Sequence, residues 1–364
     1  MISSHLKHLD FFLLVPVLFL ITIGLVSLWS LSFGSLLLFY KQIIWIAAGS
    51  IFFLSAALFD YRIFRNYGGA VLILYAILIA ALIALLLFDI QTRGVAGWFR
   101  VEGITVQPIE FMKVVLVILL AKYFSKRHIE IYRLKHLIIS GLYVLVPAFL
   151  VSLQPDLGSA LILGMLWLAV TASSGIKLKH FFVLFILFCI ISVLGWTTAL
   201  KPYQKARVVS FLNPYEDPRG AGYNTIQSLI AVGAGGALGK GIGQGSQSHL
   251  LFLPEAETDF IFAAFAEEWG FLGGLFLLAL YAVFLLRLLA IGREAEDNFG
   301  KLFVIGFTTL IFSQMLVHIC ANTGIFPITG ITLPFVSYGG SSLVTLMTGM
   351  GIVESIRLNS RKGI

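Results

Sequence analysis

Apolar runs near 20 residues, broken by short polar links, recur along the whole chain: 11–31, 43–59, 68–88, 108–124, 136–153, 156–174, 180–198, 258–286, 302–322 and 334–356. Each is long enough to cross roughly 30 Å of hydrocarbon as a helix. The pattern predicts an all-α polytopic membrane protein of about ten transmembrane helices, a single domain over residues 1–364. Residues 199–257 break the rule of short linkage. There "YNTIQSLIAVG" sets Ile226, Leu229, Ile230 and Val232 at helical spacing, which predicts a helix along the membrane surface within a large, folded extracytoplasmic loop between helices 7 and 8.

Composition agrees with this class. The chain is 59% hydrophobic and 12% charged, with a mean hydropathy of +0.97, whereas a soluble domain carries about a quarter charged residues. With the N-terminus inside, 16 of the 25 Lys and Arg residues fall in inner segments, so both termini are expected in the cytoplasm. The net charge of +7 then belongs mostly to the cytoplasmic rim and is no nucleic-acid footprint. No small-residue cleavage site follows the first apolar run, which reads as an uncleaved anchor. Cys189 and Cys320 lie inside apolar runs without CxxC spacing, which disfavours redox chemistry and structural zinc and leaves packing.

The glycines of "GAGGALGKGIGQG" invite a nucleotide reading that fails on inspection. Ala234 stands where a phosphate loop needs its first Gly, and Gly241 follows Lys240 where Ser or Thr belongs. Tight turns and close helix packing account for them better. No GxSxG or HExxH occurs either.

Helices predicted to run inward from the outer face start alike: Gln107-Pro108-Ile109-Glu110, Gln154-Pro155-Asp156, Leu253-Pro254-Glu255 and Leu333-Pro334. Proline suits a first helical turn, and a nearby acid complements the helix dipole, so capping explains each acid singly. Four such ends facing one side make a favourable place for an anionic group such as a phosphate. On a continuous eighth helix Asp259, Ala263, Ala266 and Glu267 share a face, with Glu267 about 12 Å deeper than Asp259. Asp259 reads either as a charge stabilising its helix start, with Thr258 as cap, or as a functional acid at the mouth. Glu267 and Glu268 read chiefly as buried acids paired with a basic or hydroxyl group. Lys113, three residues after Glu110, either pairs with it or holds a phosphate or the catalytic carboxylate.

Five segments carry a resemblance that covers most of the chain, in order: "QPIEFMK" (107–113), "QPDLGSAL" (154–161), "FLNPYEDPRGAGYNTIQSLIAVGAGGALGKG" (211–241), "GSQSHLLFLPEAETDFIFAAFAEEWGFLGG" (245–274) and "PFVSYGGSS" (334–342). They closely resemble the shape, elongation, division and sporulation (SEDS) family, and look more like its elongation members than its division members. The resemblance implies a peptidoglycan glycosyltransferase polymerising lipid II on the outer face of the plasma membrane, beside a class B penicillin-binding protein that supplies the transpeptidase. The family's essential aspartate falls on Asp259, its QP-x-EF-x-K glutamate and lysine on Glu110 and Lys113, and its QPDLG aspartate on Asp156. Ile109, Met112 and Glu257 depart from the usual pattern, and "GWFR" (97–100) makes Arg100 a weaker transfer.

The chemistry this implies is a single displacement with inversion. Asp259 takes the proton of the acceptor's 4-hydroxyl while that oxygen attacks the donor's C1. Helix N-termini, Lys113 and loop bases such as Lys205, Arg207 or Lys240 face the leaving diphosphate. A divalent cation, Mg or Mn, bridged by Asp259 or Glu255 is a further expectation. A lipid II transporter and a non-catalytic scaffold of the cell-wall synthesis complex remain the alternatives.

Overall fold

The computed structural model describes residues 9–32, 35–88, 97–101, 104–126, 134–175, 182–183, 186, 197, 205, 209–220 and 222–360. The elements are α1 (Phe11–Leu31), α2 (Leu37–Leu58), α3 (Arg62–Asn66), α4 (Gly68–Leu87), β1 (Phe99–Val101), β2 (Ile104–Val106), α5 (Pro108–Ser125), α6 (Leu134–Leu153) and α7 (Leu157–Ser173). After the loop come α8 (Tyr223–Ala234), α9 (Ser246–His249), α10 (Ile261–Glu294), α11 (Asn298–Asn322) and α12 (Gly340–Ser360). The chain is mostly helical, and nine of the ten apolar runs overlap a helix; the run at 180–198 falls largely outside the described residues.

Six helices among the described residues are long and apolar enough to cross a membrane: α1, α2, α4, α6, α10 and α11. The lipid-type faces are plain on the outer ones, where Phe12, Ile51, Ile73 and Phe149 stand exposed. Helix α5 is buried at nearly every position from Pro108 to Phe124, which puts it at the bundle centre. It packs on α4, α11, α12 and α7, and α12 packs most extensively on α2. The strands form a short antiparallel hairpin leading into α5, with Arg100 opposite Thr105.

Two expectations are corrected. The last helix begins at Gly340 rather than 334, because Leu333, Pro334 and Phe335 belong to a loop that turns through Phe335 at φ +65°. Helix α8 forms as expected; it buries Thr225, Ser228 and Ala231 and leaves Ile230 exposed. Small residues on that face let it approach α10 and α11 closely, and Ser228 Oγ donates to the Asn322 carbonyl at 2.7 Å.

The second correction concerns α10, which is not continuous. At 34 residues a straight helix would run about 51 Å, far beyond the hydrocarbon thickness. It breaks at Gly270 (φ 68°, ψ −167°). Residues 271–294 span about 36 Å unaided, while 261–269 form a separate piece that holds Glu267; Asp259 lies ahead of its Phe260 cap, in the preceding turn and not on the helix. The break strands backbone groups, and the glycine-rich loop after α8 satisfies them. Lys240 and Gly241 N–H donate to the carbonyls of Glu267 and Glu268, while Phe271 and Leu272 N–H donate to those of Gly236 and Ala237. A Cβ at Gly235 or Gly239 would collide with the Ala266 or Glu268 carbonyl, which explains two of those glycines.

A candidate active site at converging helix starts

Asp259 stands one residue ahead of the Phe260 cap of α10, partly exposed, in a turn built on Glu255. Glu255 adopts φ +51°, and its carbonyl accepts from the N–H groups of Thr258, Asp259 and Phe260 at 3.1, 3.1 and 3.3 Å. A non-glycine residue in this left-handed region is held there by its surroundings. Two distant segments do the holding. Ser337 Oγ donates to the Thr258 carbonyl at 2.8 Å and Tyr338 N–H to the Glu257 carbonyl at 2.9 Å. From α11, Asn322 Nδ2 donates to the Asp259 carbonyl at 3.0 Å, and Asn322 Oδ1 accepts from Ala263 N–H at 3.1 Å.

The loop between α11 and α12 is the hub of this region. A Cβ on Gly330 would lie 3.6 Å from Asp259 Oδ2, so the loop backbone runs beside the carboxylate. A Cβ on Gly158, in the first turn of α7, would come within 2.9 Å of Thr329 and Ile331. Gln107 N–H, at the start of α5, donates to Ser341 Oγ at 3.0 Å, and Thr332 Oγ1 donates to Ser342 Oγ at 3.3 Å. The starts of α7 and α10 therefore touch the loop, and the start of α5 touches Ser341 in the first turn of α12, into which the loop leads. His318, buried in α11, donates from Nδ1 to the Ile331 carbonyl at 2.7 Å and steadies the hub from beneath.

The other acids have defined partners. Lys113 and Glu110, both buried on α5, form an ion pair at 2.6 Å. Asp156 caps α7, accepting from Ser159 N–H at 2.9 Å and Ser159 Oγ at 2.7 Å. It lies near enough to the α5 pair to be attracted by Lys113 and repelled by Glu110. Glu267 gathers Lys240 Nζ at 2.9 Å, Ser246 Oγ, Gln247 N–H and both the N–H and Oγ of Ser248. Glu268 accepts from Ser30 Oγ, Gly243 N–H and His249. Lys113 and Lys240, two of the bases expected to face an anion, are each engaged by a carboxylate. Lys205 is partly buried, and Arg207 lies outside the described residues.

Among the described residues no group of three or more His, Cys, Asp and Glu gathers closely enough to hold a metal ion. Asp259 and Glu255 share a turn, so the protein offers two carboxylates there and no full cage. Sequence reading missed Asn322, His318 and Gly330, and met Ser337 only as part of "PFVSYGGSS". Of the three missed, Gly330, at φ +72° between two apolar runs, left a local trace, since glycine there suits a turn. Asn322 reads in sequence as nothing more than a polar residue at a helix end.

A family model described as "Cell cycle protein" (FTSW_RODA_SPOVE) matches residues 8–362. Peptidoglycan glycosyltransferase MrdB of Escherichia coli (strain K12) is 36% identical over 354 residues, covering 97% of this chain and 95% of that protein. Peptidoglycan glycosyltransferase RodA of Treponema pallidum (strain Nichols) is 32% identical, covering 95% of this chain and 97% of that protein. Among solved structures, a chain from "Structural coordination of polymerization and crosslinking by a peptidoglycan synthase complex" matches at 32% identity and a TM-score of 0.83, covering 97% of this chain and 98% of that one. The crystal structure of Thermus thermophilus rod shape determining protein RodA matches at 27% identity and a TM-score of 0.72, covering 97% of each chain. Since the match takes in every helix that meets at the hub loop and leaves out only a few residues at each end, this chain belongs to the FtsW, RodA and SpoVE family of membrane proteins, the SEDS family.

Proposed function

We propose that this chain is a peptidoglycan glycosyltransferase that polymerises lipid II into β-1,4-linked glycan strands for cell elongation and shape, with Asp259 as the general base. Its relatives are named for that activity over nearly their whole length. The observation that carries the residue assignment is the braced, partly exposed turn that presents Asp259 beside the loop where the starts of α7 and α10 meet and from which α12 begins.

The acceptor's N-acetylglucosamine O4 forms a bond to C1 of the donor's N-acetylmuramic acid as its proton passes to the Asp259 carboxylate. The bond from C1 to the phosphate oxygen breaks with its electron pair leaving on undecaprenyl diphosphate. Attack opposite the leaving group turns the α linkage into β, so no covalent sugar intermediate is needed. Lys113 and Lys240 are paired with carboxylates, so the helix starts, with Lys205 and Arg207, are the proposed stabilisers of the departing diphosphate. A divalent cation such as Mg2+ or Mn2+ would be held by Asp259 and Glu255, and would supply positive charge to the leaving diphosphate.

The same reading makes the chain a ten-span protein of the plasma membrane with both termini cytoplasmic and residues 199–257 outside. The site then lies at the extracytoplasmic surface, where the sugar arrives from water while its carrier stays in the bilayer. A class B penicillin-binding protein is the proposed partner, supported by the similarity to a chain of a peptidoglycan synthase complex.

Purified protein with its penicillin-binding partner, given labelled lipid II in detergent, tests the assignment. Wild type makes polymer and Asp259→Asn does not. Polymer from both would remove Asp259 as base, and polymer from neither, with lipid II crossing vesicle membranes, would support a transporter.

A further inference from the structure

We infer that Asn322 is a positioning residue for the proposed base Asp259, acting from α11 as a helix cap supplied by another segment. The inference rests on the reading of Asp259 given above. The first N–H groups of a helix have no partner within it, and a side chain at the cap position normally accepts from one of them. In α10 the cap position is Phe260, which has no side chain able to accept. Asn322 Oδ1 takes that role for Ala263 N–H, the third residue of the helix, at 3.1 Å.

The same amide also holds the base's own peptide. Its Nδ2 donates to the Asp259 carbonyl at 3.0 Å and to the His318 carbonyl at 2.9 Å, so one planar group ties the base, the start of α10 and the last turn of α11 together. Its backbone carbonyl accepts from Ser228 Oγ of α8. Asn322 is almost wholly buried, which keeps water from substituting for these bonds. Four positions further back along α11, His318 holds the Ile331 carbonyl next to Gly330, the residue flanking the Asp259 carboxylate. Two residues on one face of a helix thus set both the backbone that carries the carboxylate and the loop beside it. A sub-ångström drift in a general base slows proton transfer without altering how substrate tails are held.

Two variants separate positioning from mere support. Asn322→Ala removes both functions of the amide. Asn322→Asp keeps an acceptor for Ala263, loses the donor to the Asp259 carbonyl and adds a negative charge near the base. Both are assayed for lipid II polymerisation per folded molecule, in complex with the penicillin-binding partner, with thermal unfolding measured on the same preparations. Asn322→Ala is expected to lower kcat by about 10- to 100-fold with KM within about twofold. Asn322→Asp is expected to lower kcat as well, with KM again within about twofold, because the Asp259 carbonyl has lost its donor. If Asn322→Ala fails to fold, the kcat and KM of Asn322→Asp decide. Wild-type kcat per folded molecule in the folded variants would overturn the inference. Asp259→Asn runs beside them: if it remains active the base assignment fails, whereas an inactive Asp259→Asn with normal Asn322 variants defeats positioning alone.

Discussion

Gly330 lies against Asp259 so closely that a Cβ on the glycine would stand 3.6 Å from Asp259 Oδ2, and Gly330 holds φ at +72°. A Gly330→Ala substitution therefore does two things. The left-handed backbone costs about 1–2 kcal/mol for an L-residue, and the methyl group presses into the space beside the carboxylate. Lipid II polymerisation is expected to fall by more than the loss of folded protein explains. Turnover normalised to the folded fraction, read by thermal unfolding in detergent, checks this.

The Lys113–Glu110 pair allows a test of charge compensation. Both side chains are buried on α5, and removing one partner of a buried pair costs about 3–5 kcal/mol because the other charge is stranded. Lys113→Met alone is expected to destabilise the protein more than Glu110→Gln with Lys113→Met together. Unfolding midpoints for the single and double variants give the comparison, and a double variant no more stable than the single one would refute it.

Glu267 is the anchor of the loop from Lys240 to Ser248, accepting from five donors. Glu267→Ala leaves the Lys240 ammonium and two backbone N–H groups without their carboxylate. The expected cost is on the order of 3 kcal/mol. Limited proteolysis is expected to cut between residues 240 and 249 in the variant well before it does in wild type.

At the other end of the bundle Asp10 caps α1 and is clasped by Arg287, Nε to Oδ2 at 2.8 Å, and its N–H donates to Glu354 at 3.2 Å. Burial pushes its carboxyl pKa up, but the Arg287 hydrogen bond and charge, the Arg357 charge and the Leu13 N–H outweigh that and leave it below the ordinary value. A lowered folded-state pKa means that the stabilisation is fully present above the ordinary aspartate range, about 3.9. It is lost as pH falls through the folded value. The stability gap between wild type and Asp10→Asn should be constant above about pH 4 and close at more acidic pH. Unfolding midpoints across acidic pH measure it, and a gap that widens on acidification would contradict the sign.

Helix positions and local pairs were legible because their causes are local. Glu110 and Lys113 meet because three residues make almost one helical turn, and Asp156 caps α7 because its side chain reaches the N–H of Ser159. The start of α10 was misplaced for the converse reason. The turn at Glu255 and the break at Gly270 are stabilised by Ser337, Tyr338, Asn322 and the loop after α8, none of them neighbours in the chain.

Membrane class, most helix positions and the identity of the acid at the site follow from hydrophobic runs and short-range spacing, which depend only on the order of residues. The meeting of the α5, α7 and α10 starts around the loop and first turn of α12, the break in α10 and the clamp by Asn322 were decided by tertiary structure. Those features rest on bonds between residues distant in the chain, 63 and 79 positions apart at the Asp259 turn and 234 for Gln107 and Ser341, and such partners come within reach only when the helices pack.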